Sequence, residues 1–148
     1  QTMTEIIDKN YAWEGIYREN ILDHYMHPQN FGRLEKFDSQ FREFNPLCGD
    51  EETVQIKVEN NIIKDIKFFG KGCAISIAAS SMLFSEVKEK TLDYAEKITK
   101  ENVFELLNVP ISPVRVKCAC LSLEALRRVI KQYKGENINV EDKTKICL

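Results

Sequence analysis

The sequence has no long apolar run. Nothing in it approaches the roughly 20 residues that a membrane-spanning helix needs, so no membrane partner is expected. It has no excess of one charge either: 21 Lys and Arg stand against 23 Asp and Glu, a formal net charge of −2. A general nucleic-acid binder would need a basic face, and none is expected here. The N-terminal residues lack a signal-peptide pattern, which makes a cytoplasmic protein the expectation. Cysteine does not come in pairs: the five cysteines are an odd number in a chain large enough to fold without staples. A disulfide framework is therefore disfavoured, and thiol chemistry or metal binding is favoured. Cys147 is second from the end, not fourth, so it is no prenylation site and reads as a spare thiol.

What is present suits one ordinary globular domain: 148 residues, 43% of them apolar and 30% charged. Residues 1–10 are mixed and polar and read as disordered, 11–135 as the single domain, and 136–148 as a loose tail. Trp13, Tyr17, Ile21 and Tyr25 recur at helical spacing, with Ile16 and Leu22 beside them, and predict an amphipathic helix of about four turns. It stops near His27, because Pro28 biases its predecessor out of the helical region. His24 and His27 are the two histidines; both read as packed or capping groups rather than ligands.

Phe37–Phe44 alternates loosely and predicts a strand. In Thr53–Val58 the residues Val54, Ile56 and Val58 occupy one face and Thr53, Gln55 and Lys57 the other. Asn60-Asn61 tolerates positive φ and predicts a tight hairpin, with Ile62–Phe69 as the returning strand. Beyond Gly72 the period becomes helical, through Ile75, Ala78, Ala79 and Met82 to Val87. Leu92–Ala95 reads as a helical turn. Thr99 is the expected N-cap of a further helix, with Ile98 and Val103 as a hydrophobic staple and Phe104 and Leu107 as core face. Leu123, Leu126, Ile130 and Tyr133 mark a last helix that ends at Gly135. Strands first and helices after give an α+β fold: a small three-stranded antiparallel sheet, one face wet, against a layer of helices.

The chemistry gathers around Asn45-Pro46-Leu47-Cys48-Gly49-Asp50, where a thiol and a carboxylate lie two residues apart on turn sequence. Gly70-Lys71-Gly72-Cys73 and Val116-Lys117-Cys118-Ala119-Cys120 can supply more sulfur. The cysteines fall in a loop, at a strand-to-helix junction and near the start of the last helix, positions able to converge at one end of a sheet. A thiol at a helix start is biased toward thiolate, the form that binds metal or attacks sulfur, and Gly49, Gly70 and Gly72 let the backbone turn tightly nearby. At Cys48 the turn sequence argues for a surface position and against a core thiol. At Cys73 a packed core thiol competes. Asp50 on its own reads equally as a turn cap. Cys118 and Cys120 would point to opposite faces of an extended segment, and spacing does not choose between them.

With those residues in view, the chain resembles the U-type iron–sulfur cluster assembly scaffold family, the IscU and SufU proteins and the N-terminal domain of NifU. The likeness runs from about Tyr17 to Tyr133. It is carried by Asp23-His24-Tyr25 with His27-Pro28-Gln29-Asn30-Phe31-Gly32, by Asn45–Asp50, by Gly70–Ala74 with Ala79-Ser80-Ser81-Met82, and by Pro113–Cys118. The resemblance implies a SufE/NifU-like fold. It implies Cys48, Asp50, Cys73 and Cys118 as ligands of a [2Fe-2S] cluster or of Zn²⁺, and so selects Cys118 over Cys120. It also implies a carrier rather than an enzyme. Its partners would be a cysteine desulfurase, apo iron–sulfur acceptors and, as an open alternative, further copies of the chain around a shared cluster. Cys118 would accept persulfide sulfur, with Lys117 helping to keep it ionised.

Two departures qualify the subclass. Lys117 stands where IscU proteins commonly have histidine, as in SufU proteins, yet the 45 positions from Cys73 to Cys118 leave no room for the SufU insertion. Ile111-Ser112-Pro113-Val114-Arg115 only partly matches the chaperone-recognition segment of IscU, so dependence on an Hsp70-type chaperone is not expected. The competing expectation is a zinc-dependent sulfur-transfer protein that activates a desulfurase.

Overall fold

The computed structural model describes residues 19–46 and 49–136. The expectations for 1–10, for Trp13, Ile16 and Tyr17, for Cys48, for Cys147 and for the tail past Glu136 lie outside the described residues.

Helix α1, described over 19–26, ends where Pro28 requires. Its stripe is narrower than the spacing suggests. Ile21 is buried, but Tyr25 and Leu22 are exposed, because the helix touches the body along one edge. That edge is held by polar groups. Ser81 Oγ accepts from the Gln29 N–H (2.8 Å) and lies 2.7 Å from His24 Nδ1. Ser85 Oγ bonds Asn30 Nδ2 and Gln29 Oε1. His24 is a packed group, as expected, while His27 is exposed.

Three strands follow, β1 (Ser39–Phe44), β2 (Glu51–Glu59) and β3 (Ile62–Lys71), in a purely antiparallel sheet of order β1-β2-β3. The β2–β3 turn is the predicted Asn60-Asn61 pair, both at positive φ (53° and 64°), the backbone a two-residue hairpin needs to match strand twist. The pairing slips between Lys57 and Val58. Strict alternation would put Ile63 and Ile66 on opposite faces. The slip leaves Lys64 out of register and both isoleucines fully buried.

The helices then lie on one face: α2 (Ala74–Val87), α3 (Leu92–Glu96), α4 (Lys100–Leu107) and α5 (Val116–Lys134), with a 3₁₀ turn at Pro113–Arg115. Thr91 Oγ1 caps α3 through Tyr94 N–H, and Thr99 forms a capping box with Asn102 at α4. Gly135 (φ 75°) ends α5. Two expected core positions shift. Val103 and Leu107 are the buried face of α4, with Phe104 only partly buried, and Tyr133 is exposed on the last turn of α5. Helix α2 is buried on nearly every side, Ser76, Ser80 and Ser81 included. Its small residues let it sit between the sheet and the other helices. Phe68 of β3 meets Phe31 and Phe84 edge to face at 5.3 and 5.5 Å, joining sheet, turn and α2 into one core.

Candidate metal centre

Cys73 occupies the N-cap position of α2 in extended conformation, and its carbonyl accepts from Ile77 N–H (3.1 Å) and Ser76 Oγ (3.0 Å). The glycines before it are steric requirements. A Cβ on Gly70 would stand 2.3 Å from the Glu51 carbonyl oxygen, and one on Gly72 would stand 2.2 Å from Ser76 Oγ. At Gly70 the clash is with backbone, so the β3–α2 junction itself would have to shift, whereas at Gly72 the Ser76 hydroxyl would have to leave its bond to the Cys73 carbonyl. Cys118 lies in the first turn of α5 and is buried, 5% exposed. Asp50 immediately precedes β2. Its carbonyl accepts from Asn45 N–H (2.8 Å), and Asn45's own carbonyl accepts from Gly49 N–H (2.9 Å), so the loop between β1 and β2 is closed at its base.

These three residues, 68 positions apart from first to last by number, come together. One ligand atom each from Asp50, Cys73 and Cys118 lie within 4.8 Å of one another. Ligands of a tetrahedral ion bound at about 2.0–2.3 Å are themselves about 3.3–3.8 Å apart, so small adjustments would seat one ion, and a cluster asks for less. The donor set fits such a group, since two thiols are soft ligands and a carboxylate a harder one. Asp50 Oδ2 adds independent support: it is buried with no hydrogen-bond partner among the described residues. A buried carboxylate oxygen left unpaired is costly, and a bound cation relieves that cost. Asp50 is buried, 7% exposed, because one position before β2 it continues the inward-facing alternation of Glu52 and Val54.

Cys48, the fourth expected ligand, lies outside the described residues. Lys117 is exposed. Cys120 is buried in α5 about 200° around the helix from Cys118, so one of the two can face a given site, and Cys118 is the one grouped with Asp50 and Cys73.

Sequence reasoning missed a layer of buried polar groups behind these donors. Glu52 is 3% exposed, and its carboxyl pKa is pushed up to about 8, mainly by burial, against the Ser80 hydrogen bond and with Glu43 and Asp50 adding repulsion. Ser80 Oγ lies 2.6 Å from Glu52 Oε2 and 2.9 Å from the Ser76 carbonyl oxygen. The hydroxyl has one hydrogen to donate, shared between the Glu52 carboxyl and the Ser76 carbonyl, while burial biases Glu52 toward its neutral form. Glu43 of β1 pairs with Arg128 of α5 at 2.6 Å. The signal was available for Glu52: the inward face Val54, Ile56, Val58, continued backwards by twos, reaches Glu52 and then Asp50.

A family model for the NifU-like N-terminal domain matches residues 16–140. Among curated proteins, "Iron-sulfur cluster assembly scaffold protein IscU 1" of Archaeoglobus fulgidus is 41% identical over 126 residues, 85% of this chain and 82% of that protein. The IscU scaffold protein of Aquifex aeolicus is 40% identical over 132 residues, 88% and 83%. Among solved structures, a putative iron–sulfur cluster assembly scaffold protein for the SUF system from Fervidobacterium islandicum matches with a TM-score of 0.66 at 28% identity, over 80% of this chain and 98% of that one. The N-terminal part of a NifU-like protein from Brucella abortus gives 0.69 at 20% identity, over 84% and 98%, a likeness of fold. The chain belongs to the NifU-like N-terminal domain family.

Proposed function

We propose that this protein is a scaffold on which an iron–sulfur cluster, [2Fe-2S], is assembled from iron and desulfurase-derived sulfur and then passed to apo-proteins. Cys48, Asp50, Cys73 and Cys118 hold the cargo, and residues 11–135 form the single scaffold domain. The observation that carries the reading is the meeting of Asp50, Cys73 and Cys118 from three separate elements at one point, in a chain similar to named scaffold proteins. Three thiolates grip cluster iron well, while the harder aspartate oxygen makes one corner easier to exchange. That combination suits temporary custody rather than permanent tenure. No helix among the described residues is long and apolar enough to cross a membrane, and we place the protein in the cytoplasm.

Sulfur arrives as a persulfide. The Cys118 thiolate attacks the outer sulfur of a desulfurase persulfide, forming a persulfide on Cys118 and releasing the desulfurase cysteine as thiolate. The exposed ammonium of Lys117 next in sequence favours the ionised thiol during that encounter. Lys117 also favours the second reading, a zinc-holding sulfur-transfer protein that activates the desulfurase.

Anaerobic reconstitution with ferrous iron, cysteine, a desulfurase and a dithiol that reduces the persulfide sulfur to sulfide, followed by visible absorption, separates the two. The scaffold reading expects sulfide-to-iron charge-transfer bands that survive gel filtration and disappear on adding an apo-ferredoxin, which gains them. A chain that stays colourless yet raises desulfurase turnover when loaded with zinc is the second protein, not the first.

A further inference from the structure

Two buried polar bonds lie behind the converging donors, and each ties the sheet to a helix that carries a cysteine. On β2, Glu52 is two positions past Asp50 and faces the same side of the strand. Its Oε2 lies 2.6 Å from Ser80 Oγ of α2. Ser80 is fully buried, and it follows Cys73 by seven residues, about two helical turns or 10 Å along the same helix. On β1, Glu43 is the register partner of Glu52 and pairs with Arg128 of α5, the helix that begins with Cys118.

Glu52 is not placed there for stability. Its Oε1 is buried with no hydrogen-bond partner among the described residues, and removing a carboxyl from water with half its acceptors idle is unfavourable. An apolar side chain of similar size would fill the same space without that cost. What an apolar residue would not supply is direction. Burial of the small residues Ala78 and Ala79 is non-directional, whereas a 2.6 Å hydrogen bond fixes distance and angle. The chain Asp50–Glu52···Ser80–Cys73 runs from one donor to another through a single such bond.

We propose that Glu52 is a positioning residue for the cargo site: through Ser80 it fixes the separation of the Asp50 carboxylate from the Cys73 thiol. The inference rests on the reading of Asp50, Cys73 and Cys118 as ligands. Groups that orient metal ligands without touching the metal are worth about 10–100-fold in affinity, which sets the expected effect.

The test uses Co²⁺ as probe on the full chain. Its sulfur-to-cobalt charge transfer and visible ligand-field bands report which donors bind and in what geometry. Wild type, Glu52→Leu, Glu52→Gln and Ser80→Ala are compared by titration against a competing chelator, together with metal-free thermal unfolding. Glu52→Leu and Ser80→Ala are expected to bind Co²⁺ at least about tenfold more weakly, with altered ligand-field bands. Glu52→Gln, which still reaches the Ser80 hydroxyl, is expected to restore the wild-type spectrum. Thermal unfolding of metal-free Glu52→Leu should be no easier than that of wild type, which separates positioning from mere folding. Wild-type affinity and spectrum in Ser80→Ala would overturn the proposal even should Glu52→Leu fail to fold, as would a Glu52→Gln loss equal to that of leucine. Failure of the wild type itself to bind Co²⁺ through sulfur would instead sink the ligand assignment on which the proposal stands.

Discussion

Glu43 and Arg128, 85 positions apart in the chain, meet at 2.6 Å between Oε2 and Nη1, with side-chain exposures of 1% and 4%. Glu124, one turn before Arg128, comes within 3.8 Å of the same nitrogen, and Arg128 Nη2 has no hydrogen-bond partner among the described residues. Breaking such a pair from one side strands a buried charge, at about 3–5 kcal/mol. Arg128→Met and Glu43→Leu are therefore each expected to lower the unfolding free energy by an amount of that order. The double variant with Glu43→Leu should recover most of the loss. Urea denaturation of the three variants checks this; additive losses in the double variant would mean that the two groups do not act as a pair.

Ser81 should matter to the N-terminal helix more than its size suggests. Its hydroxyl receives the Gln29 N–H and faces His24 Nδ1. Ser81→Ala leaves both groups without that partner, which is worth about 1–3 kcal/mol. The loss should be local, so amide exchange at residues 21–30 should quicken well before exchange in β2.

Glu52 gives the metal-free chain a pH dependence of definite sign. Its folded pKa of about 8 lies above the ordinary glutamate value of 4.5. Below pH 4.5 the folded and unfolded chains both hold the proton, and the group's stabilising contribution is fully present. Between 4.5 and about 8 only the folded chain keeps it, so stability falls as pH rises, and the loss is complete above about 8. Wild type should be less stable at pH 8.5 than at pH 6 in denaturant titrations, and Glu52→Gln should lack that component. A variant that declines as steeply as wild type would assign the dependence to other groups.

Asp50 is expected to make the cargo transferable. Asp50→Ala removes the harder oxygen donor and should retain a reconstituted cluster longer in the presence of an apo-ferredoxin, by a factor read directly from the transfer half-time. Faster loss than wild type would show that the carboxylate secures the cluster rather than loosening it.

Local rules made much of this fold legible. Asn60-Asn61 named the hairpin because few residues adopt positive φ twice in succession without cost. Thr99 named its helix because a side chain must satisfy the first free amides, and Gly135 named the end of the last one. Where the reading slipped, packing had outvoted periodicity. Tyr25 and Tyr133 kept helical spacing but face solvent, and Ser76, Ser80 and Ser81 look polar but lie inside, since a central helix among close neighbours has no outer face to give them.

Motif and spacing alone determined which residue types could hold a metal, where the turns fall and that strands precede helices, because each depends on chemistry within a few residues. Only the tertiary structure decided that Asp50 is buried beside Cys73 and Cys118, and that Glu52, Ser80, Glu43 and Arg128 form a polar layer behind them. Those facts depend on which strand position faces which helix turn. A polar residue's burial is set by the partner that the fold brings to it, and the linear pattern carries no record of that partner.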